Sequence, residues 1–255
     1  MSPRALLLGT VGFAIFILSW HLATLGNQIG DLPGPAMTVR GLVQIAGEGV
    51  LWENVVASVF RVAWGFCLAA GIGIPLGMAF GWYPRLRETF NPLVQSLRPI
   101  SPIAWLPFAV ILFGGIRMSS DLAAIFLLFL SAFFPIVTAS TSAVASLDLK
   151  YIRSARNFGV DGLAFFRRVV LPASLPQILT GLRLALGIAW VVVVAAEMLG
   201  VESGLGYQVM DSRNALRMDF VSAAMVVIAA IGLMLDMAMA RVEATALARR
   251  GMSRR

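Results

Sequence analysis

The chain has 255 residues, 59% hydrophobic and 13% charged, with a mean hydropathy of +0.85; a soluble globular domain is roughly 45–50% apolar, so this composition excludes one and describes a protein that crosses a bilayer repeatedly. The formal charge of +7 is no nucleic-acid signature, because the arginines flank apolar spans and form no patch interleaved with aromatics. The single cysteine, Cys67, lies in an apolar span, which excludes disulfides within the chain and cysteine-based metal sites.

Stretches long enough to cross a hydrocarbon core, about 20 apolar residues, fall near 5–25, 55–80, 93–114, 120–143, 176–199 and 220–241. About six transmembrane helices are therefore expected, in an all-α polytopic fold. The first run begins MSPR and reaches Leu25 without a small-x-small cleavage site, so it is read as a retained helix. Residues 26–54, with Asp31, Glu48 and Glu53, read as a polar segment with a surface helix leading into the second span. The expected division is 1–54 for the first helix and this segment, 55–241 for the membrane core, and 242–255 for a basic tail.

In the second span Gly73, Gly77 and Gly81 recur every four residues, which bares one helix face for close packing against another helix. The third span, RPISPIAWLPFAVILFG, contains Pro99, Pro102 and Pro107, each without a backbone donor. Broken helix at membrane depth is tolerated where protein buries it or where it lines a wet cavity. Two readings stand: a translocation pathway involving Ser101, Pro102 and Trp105, or a kinked start to an interfacial helix.

Between the fourth and fifth spans lies the polar stretch 148–172, DLKYIRSARNFGVDGLAFFRRVVLP. Lys150, Arg153, Arg156, Arg167 and Arg168 outnumber Asp148 and Asp161, so the stretch belongs in water on the cytoplasmic side. Ile152, Ala155, Phe158 and Gly159 recur at helical spacing, while Gly162 and Leu171–Pro172 punctuate two short helical pieces. An amphipathic helix held outside a membrane suits docking into a partner's groove. The plain alternative is a solvated loop with snorkelling arginines.

The fifth span places Arg183, Trp190 and Glu197 seven residues apart near one helix face, with Gly187 close by. At ~1.5 Å per residue Arg183 and Glu197 stand ~21 Å apart and cannot pair with each other. Ionisable groups inside a span are functional candidates because lipid leaves them unpaired at high cost. Arg183 facing a cavity would attract an anion; the other reading has Arg183 snorkelling to headgroups and Glu197 bridging helices at the rim. Asp236, in the last span, reads as one half of an ion pair with a neighbouring helix.

The positive-inside tendency orients the chain. With the N-terminus inside, the cytoplasmic segments carry fourteen Lys and Arg, namely Arg4, Arg85, Arg87, Arg98, the five of 148–172, Arg241, Arg249, Arg250, Arg254 and Arg255. The outer segments carry four: Arg40, Arg117, Arg213 and Arg217. Both termini are thus expected in the cytoplasm. The only lysine, Lys150, is not preceded by the glycine-rich turn of a P-loop, so the chain has no P-loop with which to hydrolyse nucleotide. The only histidine, His21, lies near the outer end of the first span, and no G-x-S-x-G turn is present, which argues against an intramembrane hydrolase.

The 148–172 stretch resembles the signature of permease subunits of ATP-binding-cassette importers: Glu-Ala-Ala, three residues, Gly, nine residues, Ile-x-Leu-Pro. Here the register gives Arg153, Ser154 and Ala155, then Gly159, then Val169, Val170, Leu171 and Pro172. SPIAWLPFAVILFG at 101–114, TGLRLALGIAWVVVVAAEM at 180–198 and GLG at 204–206 are similar to the branch that imports nitrate, taurine, aliphatic sulfonates or bicarbonate. Arg153 and Ser154 depart from the family's Glu and first Ala, so an acidic contact there is not carried over. The resemblance implies a type I importer permease fold in a bacterial inner membrane. It implies two copies forming a pathway for a small anionic solute, two cytoplasmic ATPase subunits that hold the ATP and magnesium, and an extracytoplasmic solute-binding protein. No cofactor and no enzymatic activity are expected on this chain. The resemblance puts Tyr151, Arg153, Ala155, Arg156, Phe158, Gly159, Leu163, Phe166 and Arg167 against the ATPase. Ser101, Pro102, Trp105, Arg183, Gly187, Trp190 and Glu197 are the candidates for the solute pathway. A secondary transporter or channel that works without an ATPase is the alternative; the absence of a visible internal repeat and the scarcity of buried carboxylates weigh against it.

Overall fold

The computed structural model describes residues 3–26, 32–116, 118–148, 150 and 162–248. Among these there are helices and no strands: α1 (Pro3–Thr24), α2 (Pro35–Gly47), α3 (Val50–Trp82), α4 (Pro84–Leu97), a 3₁₀ turn (Pro102–Trp105), α5 (Leu106–Phe113), α6 (Ser119–Ala145), α7 (Gly162–Phe165), a π turn (Phe166–Val170), α8 (Leu171–Gly200), α9 (Leu205–Asn214) and α10 (Met218–Ala248). Five helices are long and apolar enough to cross a membrane, and α4 with the turn and α5 makes a sixth if that bent pair is one span. Pro35, Pro84 and Pro102 stand in the first turn of their elements, where a missing N–H has no helical partner to lose.

The span expected at 93–114 is broken. α4 and the segment Pro102–Phe113 meet at 89°, because Pro99 and Pro102 deny the chain two consecutive-turn donors and start a new helix at Pro102. The expected boundaries at 54/55 and 241/242 fall inside helices: α3 begins at Val50, after Gly49 turns the chain out of α2 with φ 78°, and α10 runs on to Ala248.

α6 is the middle of the bundle, flanked by α3 and α8. Lipid tails are as apolar as leucine, so close van der Waals fit rather than exclusion from water must hold these helices together. The fit is a ladder of small residues: Gly65, Ala69, Gly73, Gly77 and Gly81 of α3 step every four residues along Leu128, Ala132, Ile136, Ser140 and Val144 of α6. A Cβ at Gly77 would sit 2.6 Å from Ser140 Cβ and 2.6 Å from the Val137 carbonyl oxygen, and one at Gly81 2.6 Å from the Thr141 carbonyl oxygen. On the other flank Gly181 of α8 lies against Ala139. Val62, Leu128, Ala185, Ala189 and Val193 complete the shared core. α2 lies across α10, with Gly41 over the Asp219 carbonyl and Thr38 Oγ1 donating to Ser222 Oγ at 2.8 Å. α1 is exposed along its span, joined to the rest by Trp20 Nε1 donating to the Pro33 carbonyl at 3.2 Å.

Gly71 lies on the same helix with nothing within 4 Å of a Cβ there. Gly77→Leu should therefore abolish the monodisperse peak of detergent-extracted protein in size-exclusion chromatography, since overpacking a rigid contact costs about 1–3 kcal/mol or more. Gly71→Leu should leave the peak unchanged. Equal behaviour of the two variants would refute the ladder.

Candidate functional site

Most of the predicted docking stretch, including Tyr151, Arg153, Ala155, Arg156, Phe158 and Gly159, lies outside the described residues. Leu163 falls in α7. Phe166 is half-buried and Arg167 exposed. The returning chain is fastened firmly: Phe165 and Val170 are buried with Met78, Ala143, Val144 and Ile178, and the Phe165 and Trp82 rings stand 5.6 Å apart. These contacts bind the chain entering α8 to the ends of α3 and α6. We call this the loop end of the bundle and the opposite one the α9 end.

The stripe of α8 is turned toward other helices rather than toward a common cavity. Arg183 Nε and Nη2 donate to the two carboxylate oxygens of Asp236 at 2.7 and 2.6 Å, and Nη1 lies 3.8 Å from Glu243. Its charge is neutralised by α10, so the expected free guanidinium for an anion is corrected to an interhelix fork, with Asp236 as the partner acid. Trp190 Nε1 donates to the Ile228 carbonyl at 3.1 Å, its ring filling the space above Gly232 of α10. Gly187 faces away, on an open side with Leu184, Ile188 and Val191.

Glu197 sits at the heart of a buried polar cluster at the α9 end. The carboxylate is 0% exposed and Arg61 of α3 is 2% exposed. Arg61 Nη1 donates to Glu197 Oε1 at 2.7 Å and to the Ser203 carbonyl at 2.9 Å; Nη2 donates to Ser203 Oγ and Nε to Asp121 of α6 at 2.8 Å. Glu197 Oε2 also accepts from Ser58 Oγ at 2.8 Å and from the Gly206 N–H at 3.0 Å. The first N–H groups of a helix have no partner within it. Here Asn54 Oδ1 takes Gly204 N–H, Ser58 Oγ takes Leu205 N–H and Glu197 takes Gly206 N–H, so three side chains from α3 and α8 cap α9 and set an anion at its positive end. Gly204 makes the turn with φ 104°, and a Cβ there would overlap the Glu197 carboxylate. Sequence reasoning missed Arg61 and Asp121. The signal was present, since a cation inside one span and an anion inside another are each other's natural partners in lipid.

The broken span brings Pro102 and Trp105 into a recess of about 190 Å³ with Arg98, Ser131, Phe134 and Ile188. Ser101 is exposed just ahead of it, its carbonyl accepting from Ala104 N–H at 2.9 Å. A second recess of about 200 Å³ lies nearer the loop end, between Arg87, Asn91 and Gln95 of α4 and Thr138, Thr141 and Ser142 of α6. Of the predicted pathway residues, then, Pro102 and Trp105 share a recess with Ile188, the neighbour of Gly187, whereas Arg183, Trp190 and Glu197 are packing and cluster residues.

Removing one member of a buried ion pair leaves the other charged and unpaired, at about 3–5 kcal/mol. Arg61→Met should lower the unfolding temperature in detergent by several degrees, and Arg61→Met with Glu197→Gln should recover most of the loss. Additive effects in that double-mutant cycle would mean that Arg61 and Glu197 do not act on each other.

Residues 71–247 match the family model described as binding-protein-dependent transport system inner membrane component. A protein of Methanocaldococcus jannaschii described as an ABC transporter permease is 39% identical over 236 residues, covering 90% of this chain and 87% of that protein. The taurine transport system permease of Escherichia coli is 35% identical, covering 86% and 80%, and the bicarbonate transport system permease of Synechococcus elongatus 33%, covering 91% and 86%. A chain of a methionine ABC transporter solved in inward-facing conformations matches the fold with a TM-score of 0.68 at 19% identity, over 80% of this chain and 97% of that one. The chain belongs to the binding-protein-dependent transport system inner membrane components, the permease subunits of ABC importers, and within them resembles the taurine, sulfonate and bicarbonate type.

Proposed function

We propose that this permease forms, as a pair of identical copies, the pathway for a small anionic solute, and that it takes its drive from two cytoplasmic ATPase subunits docked on residues 148–172. The carrying observation is the anchoring of that segment. α6 runs into it and α8 runs out of it, the two helices pack along their length, and Phe165 and Val170 lock its return onto Met78, Trp82, Ala143 and Val144. A force applied between 148 and 165 therefore moves α3, α6 and α8 as one body, which is what a rigid-body change between inward-open and outward-open states requires. A loosely tethered loop would absorb the force instead.

In this reading the loop end faces the cytoplasm, in keeping with Arg85, Arg87, Lys150, Arg167 and Arg168 at that end. Tyr151, Ala155, Phe158, Gly159, Leu163 and Phe166 make the ATPase contacts, with Arg153, Arg156 and Arg167 tuning them, and ATP with magnesium stays on the partner. A solute-binding protein delivers cargo at the α9 end. The anionic class rests on the relatives named for taurine, aliphatic sulfonate and bicarbonate transport, and no longer on Arg183.

Affinity purification in mild detergent from native membranes tests this. The native chain should bring down a P-loop ATPase in a two-to-two complex, and Gly159→Trp should lose the ATPase while inserting normally. A chain that purifies alone in both forms would overturn the coupling and favour a transporter that works without an ATPase.

A further inference from the structure

The two recesses lie one after the other along α6 and together make up the α4/α6 groove. On α4 and its C-terminal cap, Arg87, Asn91, Val94 and Arg98 share a face at spacings of four, three and four residues. On α6, Ser131, Phe134, Thr138, Thr141 and Ser142 share the facing side, and both sets line the recesses. α4 rests against α3 and makes little direct contact with α6, so the groove stays open between them. It runs from the proline break at mid-bundle, where Arg98 and Trp105 stand, to the loop end beside Arg87. Ser131 and Thr141, one in each recess, are ten residues apart, ~15 Å along the helix.

Arg87 and Arg98 border the two recesses. Arg61, Arg183 and Arg217 each hold a carboxylate, whereas neither Arg87 nor Arg98 has an ion-pair partner among the described residues. Glu88, the carboxylate of α4, pairs with neither. A low-dielectric cleft lined by charges of one sign concentrates the opposite ion, and the hydroxyl and amide side chains of Thr138, Thr141, Ser142, Asn91 and Gln95 offer it further hydrogen bonds. Each recess, at about 190–200 Å³, would hold roughly six waters at ~30 Å³ each, a volume suited to a solute of a few heavy atoms and small beside a drug-sized pocket.

We propose that the α4/α6 groove is the inner leg of the solute route, with Arg98 and Arg87 as two successive weak stations for a small oxyanion such as a sulfonate or carboxylate. This rests on the reading of the chain as the pathway of an anion importer. Two weak stations suit passage better than one tight site, because the ion must leave as readily as it enters. A lipid phosphate has the same chemistry as the solute, and the test separates them.

The test uses the full chain with Cys67→Ser and a reporter cysteine in each recess, Ile188→Cys beside Arg98 and Ser142→Cys beside Arg87. The rates of modification by the anionic sulfonatoethyl methanethiosulfonate and the cationic trimethylammonioethyl methanethiosulfonate are compared in nanodiscs of phosphatidylcholine. The ratio of anionic to cationic rate should fall about tenfold at Ile188→Cys when Arg98→Gln is added, and at Ser142→Cys when Arg87→Gln is added, and should recover with Arg→Lys. Ratios insensitive to the arginines would overturn the proposal. So would a native ratio that collapses in phosphatidylglycerol nanodiscs, which would make the stations headgroup sites. Neither readout needs the ATPase, so failure to capture that partner leaves this result independent.

Discussion

Arg61 is the point on which the α9 end of the bundle closes. Its guanidinium comes from α3, Asp121 from α6, Glu197 from α8, and Ser203 from the turn into α9. Four segments of the chain thus meet at one cation that is almost wholly buried. In so dry a place the attraction is strong, but so is the penalty for any group left over, and the arrangement holds because each lone pair and donor finds a partner. The same carboxylate that binds Arg61 also caps α9 through Gly206 N–H. α9 therefore cannot shift relative to α3 and α8 without stranding a buried charge. At the loop end a different material does the joining: aromatic and aliphatic contacts of Phe165, Trp82, Met78 and Val170. Between the two ends runs the ladder of small residues in α3 and α6. The three together tie α3, α6, α8 and α9 to one another, the condition on which the proposed coupling depends.

The composition and the periodic apolar runs made the number and rough positions of the spans readable, since the membrane allows one length and one backbone solution for a single span. Gly73, Gly77 and Gly81 foretold the α3 face that meets α6, though Gly65 and Ala69, which extend the same ladder by two turns, went unread. What resisted was partnership. The register of Arg183, Trp190 and Glu197 on one face was right, yet a face can look into a cavity or into a neighbour, and only the placement of α10 and α9 decides. Arg98 counted in the sequence as a topology signal alone; its position at the proline break, opposite Ser131, depends on the 89° bend, which the prolines permit without fixing its angle. The 148–172 stretch was recognisable through its spacing as resembling a family signature, and the structure adds the anchoring of its return by Phe165 and Val170.

The distribution of charge draws these threads together. Every carboxylate in α6, α8 and α10 is engaged: Asp121 and Glu197 by Arg61, Asp236 and Glu243 by Arg183, Asp219 by Arg217. Acids in these three helices are thus used as structural counterions. This leaves no buried carboxylate idle for proton or sodium coupling among the described residues, in keeping with an importer driven from outside the chain. Arg85, Arg87, Arg98, Lys150, Arg167 and Arg168 make α4 and the loop end positive. Cations on exposed loops orient a membrane protein. Arg87 and Arg98 differ because they line recesses on an amphipathic helix that stands off α6, where a charge acts at short range on whatever enters. Arg87 borders a recess lined by the hydroxyls of Thr138, Thr141 and Ser142, and Arg98 one lined by Ser131 and apolar side chains. A route for an anion needs positive potential without a permanent counterion, and among the described residues the α4/α6 groove offers both.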